Sequence, residues 1–228
     1  MIKYPLEVPI IVKKLENYIE VNEKLLEYFD LVQGERVDIG SGYTLDDKTW
    51  MEDSFYKLDW KQSTDFSRPW VQYFLDFFKK ELYDIKTNLY YEECHLKDLW
   101  FQQYKKGNTH SWHTHGENFT GVYYVELDKD SPKTQIVNPF DNSTVYELDV
   151  SEGDLVIFPS FVLHRAPKIQ NDIRKTIVSF NINLLNGMYD IGERISKPTI
   201  NTKLNRIKNK IIGREKELRK IKLTYDET

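Results

Sequence analysis

Apolar side chains recur at helical spacing over residues 9–32, at Ile11, Leu15, Ile19, Leu25, Leu26, Phe29 and Leu31. That pattern predicts one or two helices with a polar outer face. Residues 34–63, rich in Gly, Asp, Ser and Trp, read as loop. Ser67-Arg68-Pro69 then opens a second helix, with proline in its first turn, running through Trp70, Phe74, Leu75, Phe77 and Phe78 to about Ile85. From about residue 97 the period changes to two. Strands are expected over 98–105, 119–127, 133–138, 144–149, 154–158, 161–165 and 174–184, separated by turns such as Lys106-Gly107-Asn108 and Glu152-Gly153-Asp154. Short strands at even spacing without intervening helices predict a barrel or sandwich, not a βαβ sheet. The chain thus divides into a helical and loop region over 1–96 that buttresses a β core over 97–186, followed by a basic helical tail over 187–228.

Composition narrows the class. Aromatic residues make up 14% of the 228 residues, with 15 Tyr and 12 Phe, which suits a sheet-rich body lining a cavity and argues against disorder. No apolar run approaches the about 18 residues that a membrane helix needs, so no membrane partner is expected. The N-terminus lacks the form of a signal peptide and Cys94 has no second cysteine to pair with, which together suggest a reducing cytoplasm. The net charge of −4 conceals an asymmetry: residues 197–228 hold 10 Lys/Arg against 4 Asp/Glu, leaving 22 basic and 32 acidic side chains in the body. The tail lacks aromatic interleaving, which disfavours a nucleic-acid partner; packing on the sheet or a homodimer through this helix are the other uses expected of it.

The chemistry lies in the histidines. Of five, His110, His113 and His115 fall within six residues, and His164 follows 49 residues beyond His115. Side chains at i and i+2 of an extended segment share a side, so His113 and His115 can converge on one ion. A third ligand from a distant strand then holds the metal on one face and leaves the opposite positions open. Arg174, ten residues after His164, precedes Thr176 by two. A guanidinium with a hydroxyl on the same strand face suits a carboxylate. Trp112, Phe119, Tyr123 and Phe161 are expected as pocket walls, Trp100 and Phe180 as core, and Asp154 as a structural turn residue.

Tyr104-x-x-Gly107, His113-x-His115 and Phe119-Thr-Gly-Val-Tyr-Tyr-Val125 resemble the first half of the Fe(II)/2-oxoglutarate-dependent oxygenase core. Gly153-Asp-Leu-Val-Ile-Phe-Pro-Ser160, His164 and Arg174-x-Thr176 are similar to its second half. The nearest resemblance is to the 2OG-Fe(II) oxygenases common in marine phage and bacterial genomes. The resemblance implies a mainly β fold with flanking helices, a double-stranded β-helix (jelly-roll, cupin-like) barrel. It also implies a dioxygenase acting as a hydroxylase, with Fe(II) as metal and 2-oxoglutarate as co-substrate, on a small-molecule or peptidyl substrate. Iron would be held by His113 and His164, and the far carboxylate of the keto acid by Arg174 and Thr176. Tyr104 would bond the co-substrate, line the pocket or serve as a core aromatic, with Gln103 as the alternative donor.

The family usually shows His-x-Asp/Glu, and here His115 stands where the carboxylate is expected. Three ligand sets follow: His113, His115 and His164 together; His113 and His164 with water, His115 standing behind them; or His115, Glu117 and His164. A cupin-type metal enzyme that uses no keto acid, or a non-catalytic binding barrel, are the competing functions.

Overall fold

The computed structural model describes residues 7–32, 34–39 and 53–186. Eleven strands, two α-helices and a short 3₁₀ turn follow in the order β1 (Ile11–Lys14), α1 (Tyr18–Leu31), β2 (Glu35–Ile39), β3 (Asp53–Leu58), the 3₁₀ turn Trp60–Gln62, α2 (Pro69–Asn88), β4 (Glu93–Tyr104), β5 (His110–His113), β6 (Phe119–Leu127), β7 (Gln135–Val137), β8 (Val145–Glu147), β9 (Asp154–Pro159), β10 (His164–Ala166) and β11 (Lys175–Leu185). A seven-stranded sheet in the order β1-β9-β6-β11-β4-β3-β2 faces a four-stranded one in the order β5-β10-β7-β8. All pairings are antiparallel and neither sheet closes on itself, which makes the body a jelly roll of two open, facing layers.

The helices cover the outer face of the large sheet. On α2 the buried positions Trp70, Val71, Phe74, Leu75, Phe78, Leu82 and Ile85 recur at three- and four-residue spacing. They pack on Leu99 and Phe101 of β4, Tyr123 and Val125 of β6, and Val178 and Phe180 of β11. The alternate residues Tyr104, Val122, Tyr124, Val156, Phe158 and Ile177 form a second core between the sheets. At about 1.5–3 kcal/mol for each large apolar side chain removed from water, the two cores are the main driving force for this layering. Central strands therefore lose the in–out alternation of a half-exposed sheet, and β11 is buried on both faces. At Gly121 a Cβ would stand 2.2 Å from the Phe180 ring and 2.6 Å from the Val156 carbonyl, so only glycine allows β6 to pack here.

The N-terminal third differs from the pattern reading. Ile11–Lys14 is a strand paired with Lys14↔Asp154 through Ile11↔Ile157, and α1 begins only at Tyr18. Within the segment read as loop, β2 and β3 extend the large sheet through Leu58↔Gln102. These strands are short, and β1 and β3 join the sheet through partners far away in sequence, so local periodicity carries little trace of them. The expected basic tail at 187–228 lies outside the described residues. No helix among the described residues is long and apolar enough to cross a membrane.

Candidate active site

β5 and β10 run side by side in the smaller sheet, with His164 directly opposite His113. His115 follows the end of β5 and is tied down by its backbone N–H, which donates to the Ser160 carbonyl at 3.2 Å. One ligand atom from each of His113, His115 and His164 lies within 4.8 Å of the others, and among the described residues this is the one grouping able to hold a metal. Glu117 is not part of it.

The hydrogen bonds set the ring orientation. Nδ1 of His113 is 2.7 Å from the Ser111 carbonyl, and Nδ1 of His164 is 2.9 Å from the Val162 carbonyl. A carbonyl only accepts, so both rings carry the proton on Nδ1 and present the Nε2 lone pair. His115 Nε2 approaches His164 Nε2 at 3.3 Å. Burial lowers the pKa of all three, that of His115 to about 4 with the neighbouring His113 as a lesser cause. Neutral imidazoles with lone pairs converging in a buried site fit a divalent first-row metal. His110 stacks on His113 at 3.7 Å between ring centroids and lines the same cavity.

Around the histidines the cavity is walled by Trp100, Gln102, Tyr104, Thr120, Ile177 and Ser179, all from the inner face of the large sheet. The Tyr104 hydroxyl donates to Gln102 Oε1 at 2.9 Å. That placement corrects the reading of Trp100 as plain core. Conversely, Phe119 and Tyr123, expected as walls, pack in the helix-side core, with Tyr123 donating to Asn22 at 2.6 Å. Phe161 is exposed, and Trp112 lies under the Arg165 guanidinium.

Arg174 and Thr176 stand apart from the cavity. Arg174 Nε donates to Glu126 Oε2 at 2.7 Å, and Thr176 Oγ1 donates to the same oxygen at 2.9 Å. Strand alternation explains why: Ile177 and Ser179 face the cavity, so residues 174 and 176 face the helices. Lys175, which the sequence reading passed over, has the inward parity. It is 1% exposed, donates to the Pro132 carbonyl at 2.9 Å, and its ammonium lies 5.9 Å and 5.7 Å from the ring centroids of Tyr104 and Tyr124. No carboxylate among the described residues is in ion-pairing contact with it, and Glu147 acts on it only from a distance. Burial lowers its pKa to about 8. A buried ammonium without a contacting counter-ion is costly, and an anion reaching it from the side of Tyr104 would relieve that cost.

Comparison with known proteins points to the same fold. Residues 98–181 match the family described as "Putative 2OG-Fe(II) oxygenase". Among solved structures, a prolyl hydroxylase from Trichoplax adhaerens in complex with a hypoxia inducible factor peptide fragment superimposes with a TM-score of 0.53 at 14% identity, covering 83% of this chain and 87% of that one. HygX from Streptomyces hygroscopicus, with nickel and 2-oxoglutarate bound, gives 0.53 at 11% identity, covering 78% and 83%. A prolyl-4-hydroxylase from Pseudomonas putida gives 0.51 at 13%, covering 76% and 92%. No curated protein matches the sequence. Residues 98–181 are thus similar to the core of a family named for Fe(II) and 2-oxoglutarate, and the solved structures share its fold.

Proposed function

We propose that this protein is an Fe(II)- and 2-oxoglutarate-dependent dioxygenase that hydroxylates a substrate, with His113, His115 and His164 holding the iron and Lys175 the far carboxylate of the keto acid. The observation that carries the reading is the presence of two features between the sheets: three imidazoles with converging ligand atoms lining the cavity, and, behind the cavity-lining Tyr104, a wholly buried lysine with no carboxylate in ion-pairing contact. When bound, the iron supplies dioxygen activation coupled to decarboxylation of the keto acid, one oxygen atom passing to succinate and the other to a substrate C–H bond.

The chain's own residues supply the positioning. The carbonyls of Ser111 and Val162 hold two ligand rings in one tautomer. Tyr104 and Tyr124 wall off Lys175 from water, which strengthens its attraction for a carboxylate. Gln102, whose Oε1 accepts from Tyr104, offers its amide to the cavity as an orienting donor.

Anaerobic addition of Fe(II) and 2-oxoglutarate is expected to produce a metal-to-ligand absorption band in the visible, saturating at one equivalent. Absence of that band in protein that binds Fe(II) would sink the reading.

A further inference from the structure

Six buried side-chain polar atoms among the described residues lack any hydrogen-bond partner, and three of them are Nε1 of Trp100, Oδ1 of Asn181 and Oγ of Ser160. All three residues are at most 6% exposed. The Trp100 ring is 6.3 Å from that of His115, and the Ser160 carbonyl accepts the His115 N–H. Trp100 pairs with Ser179 and Asp98 with Asn181 across β4 and β11, which makes the cavity-lining Trp100 and Asn181 diagonal neighbours on the inner face of the large sheet. Lys175 pairs with Tyr104 toward the other end of the same two strands, six residues or about 20 Å along β11 from Asn181. The orphaned pair therefore lies at the end remote from the keto-acid lysine.

The two groups have fixed and opposite polarity. An indole N–H only donates. The Asn181 amide is oriented by Asp98: its Nδ2 donates to Asp98 Oδ2 at 3.3 Å, and Asp98 accepts in turn from Ser63 at 3.2 Å. Since the carboxylate cannot donate, the amide oxygen faces away from it and can only accept. Leaving a buried donor and a buried acceptor unpaired costs about 1–3 kcal/mol each, an arrangement that needs a reason.

We propose that Trp100 and Asn181 form the substrate-side subsite of the cavity and take a neutral group carrying one acceptor and one donor, an amide, with its carbonyl on Trp100 Nε1–H and its N–H on Asn181 Oδ1. The role as substrate subsite rests on the oxygenase reading, whereas amide recognition can be measured without it. The surrounding wall residues Thr120, Ser179 and Ile177 bring no charge, which favours a neutral ligand over a carboxylate or an ammonium.

The test uses the full chain and three small probes, N-methylacetamide, butanone and acetate, with binding followed by ligand-observed NMR on metal-free protein. The amide is expected to bind roughly tenfold more tightly than the ketone, the worth of one buried hydrogen bond, and acetate more weakly than either. Asn181→Leu should abolish the preference of amide over ketone, because the ketone never used that acceptor. Trp100→Phe should weaken both. Equal binding of amide and ketone to the wild type, or an amide preference that survives Asn181→Leu, overturns the proposal and leaves a buried water bridging the two groups. If Trp100→Phe does not fold, the Asn181→Leu comparison decides alone. Amide preference without the Fe(II)–2-oxoglutarate band would refute the oxygenase reading and keep the subsite; the band without the preference would do the reverse.

Discussion

Arg174 and Lys175 are consecutive on β11 and serve opposite faces of the sheet: the guanidinium is held by Glu126 at 2.7 Å on the helix side, and the ammonium is buried against Tyr104 and Tyr124 between the sheets. The register of β11 on β6 shifts between Thr176 and Ile177, where the partner passes from Glu126 to Tyr124. The extra residue, Val125, belongs to β6, so β11 itself keeps its regular alternation past the two basic residues.

Lys175→Ala is accordingly expected to weaken 2-oxoglutarate binding by about 100-fold, the scale of losing a buried charge-assisted contact. Arg174→Ala, which removes a contact made to Glu126 and not to the cavity, should change that affinity by less than about twofold. Anaerobic titration of the absorption band for the two variants side by side reads both effects, and a larger loss in Arg174→Ala would return the anchoring role to that residue.

Keto-acid affinity should also depend on pH. The Lys175 ammonium loses its proton at about pH 8 in the ligand-free protein, so binding should weaken progressively as pH rises above that value. Stability moves the other way. Between about pH 8 and the ordinary lysine value of 10.5, the unfolded chain holds a proton that the folded one has released, so this group's penalty is relieved as pH rises through that window. Lys175→Met should abolish both trends, checked by ligand titration and chemical denaturation at several pH values.

Metal affinity should follow the histidine grouping. His113→Ala and His164→Ala are each expected to lower Fe(II) or Mn(II) affinity by at least roughly 100-fold, and His115→Ala by a comparable factor. Glu117→Ala should leave it within about twofold. Calorimetric metal titrations under anaerobic conditions distinguish a three-histidine set from one completed by Glu117.

In the metal-free protein the same histidines should sensitise the fold to acid. Burial lowers the folded-state pKa of His110, His113, His115 and His164, while the unfolded chain takes up protons near the ordinary value of 6.5. A depressed folded pKa means that stability is lost as pH falls below 6.5, down to about 4 for His115. A metal that requires neutral imidazoles should shift this acid transition downward, as a pH series of melting curves would show.

Asp59 holds the junction between α2 and β4, accepting from the buried Arg68 guanidinium, from Trp70 Nε1 at 3.0 Å and from the Phe101 N–H at 2.8 Å. Asp59→Ala leaves a buried cation without its partner, and about 3–5 kcal/mol of stability should be lost in urea titrations.

Residues 119–127 read as a strand from the sequence, and that is where β6 lies; the 174–184 reading likewise meets β11 within one residue at each end. The i, i+2 spacing of His113 and His115 was sufficient to nominate a candidate metal grouping, because that pair is a local signal, and the strands bring the distant His164 beside it. Period two also showed that neighbouring residues of β11 point to opposite faces. It did not show which parity points inward, since β11 is covered on both faces and has no polar side to mark the direction. Only the layering of the two helices on one face and the small sheet on the other assigns Lys175 to the space between the sheets and Arg174 to Glu126. The same holds for Trp100 and Asn181, whose meaning lies in hydrogen bonds that they do not make, and an unmade bond has no signature in a sequence.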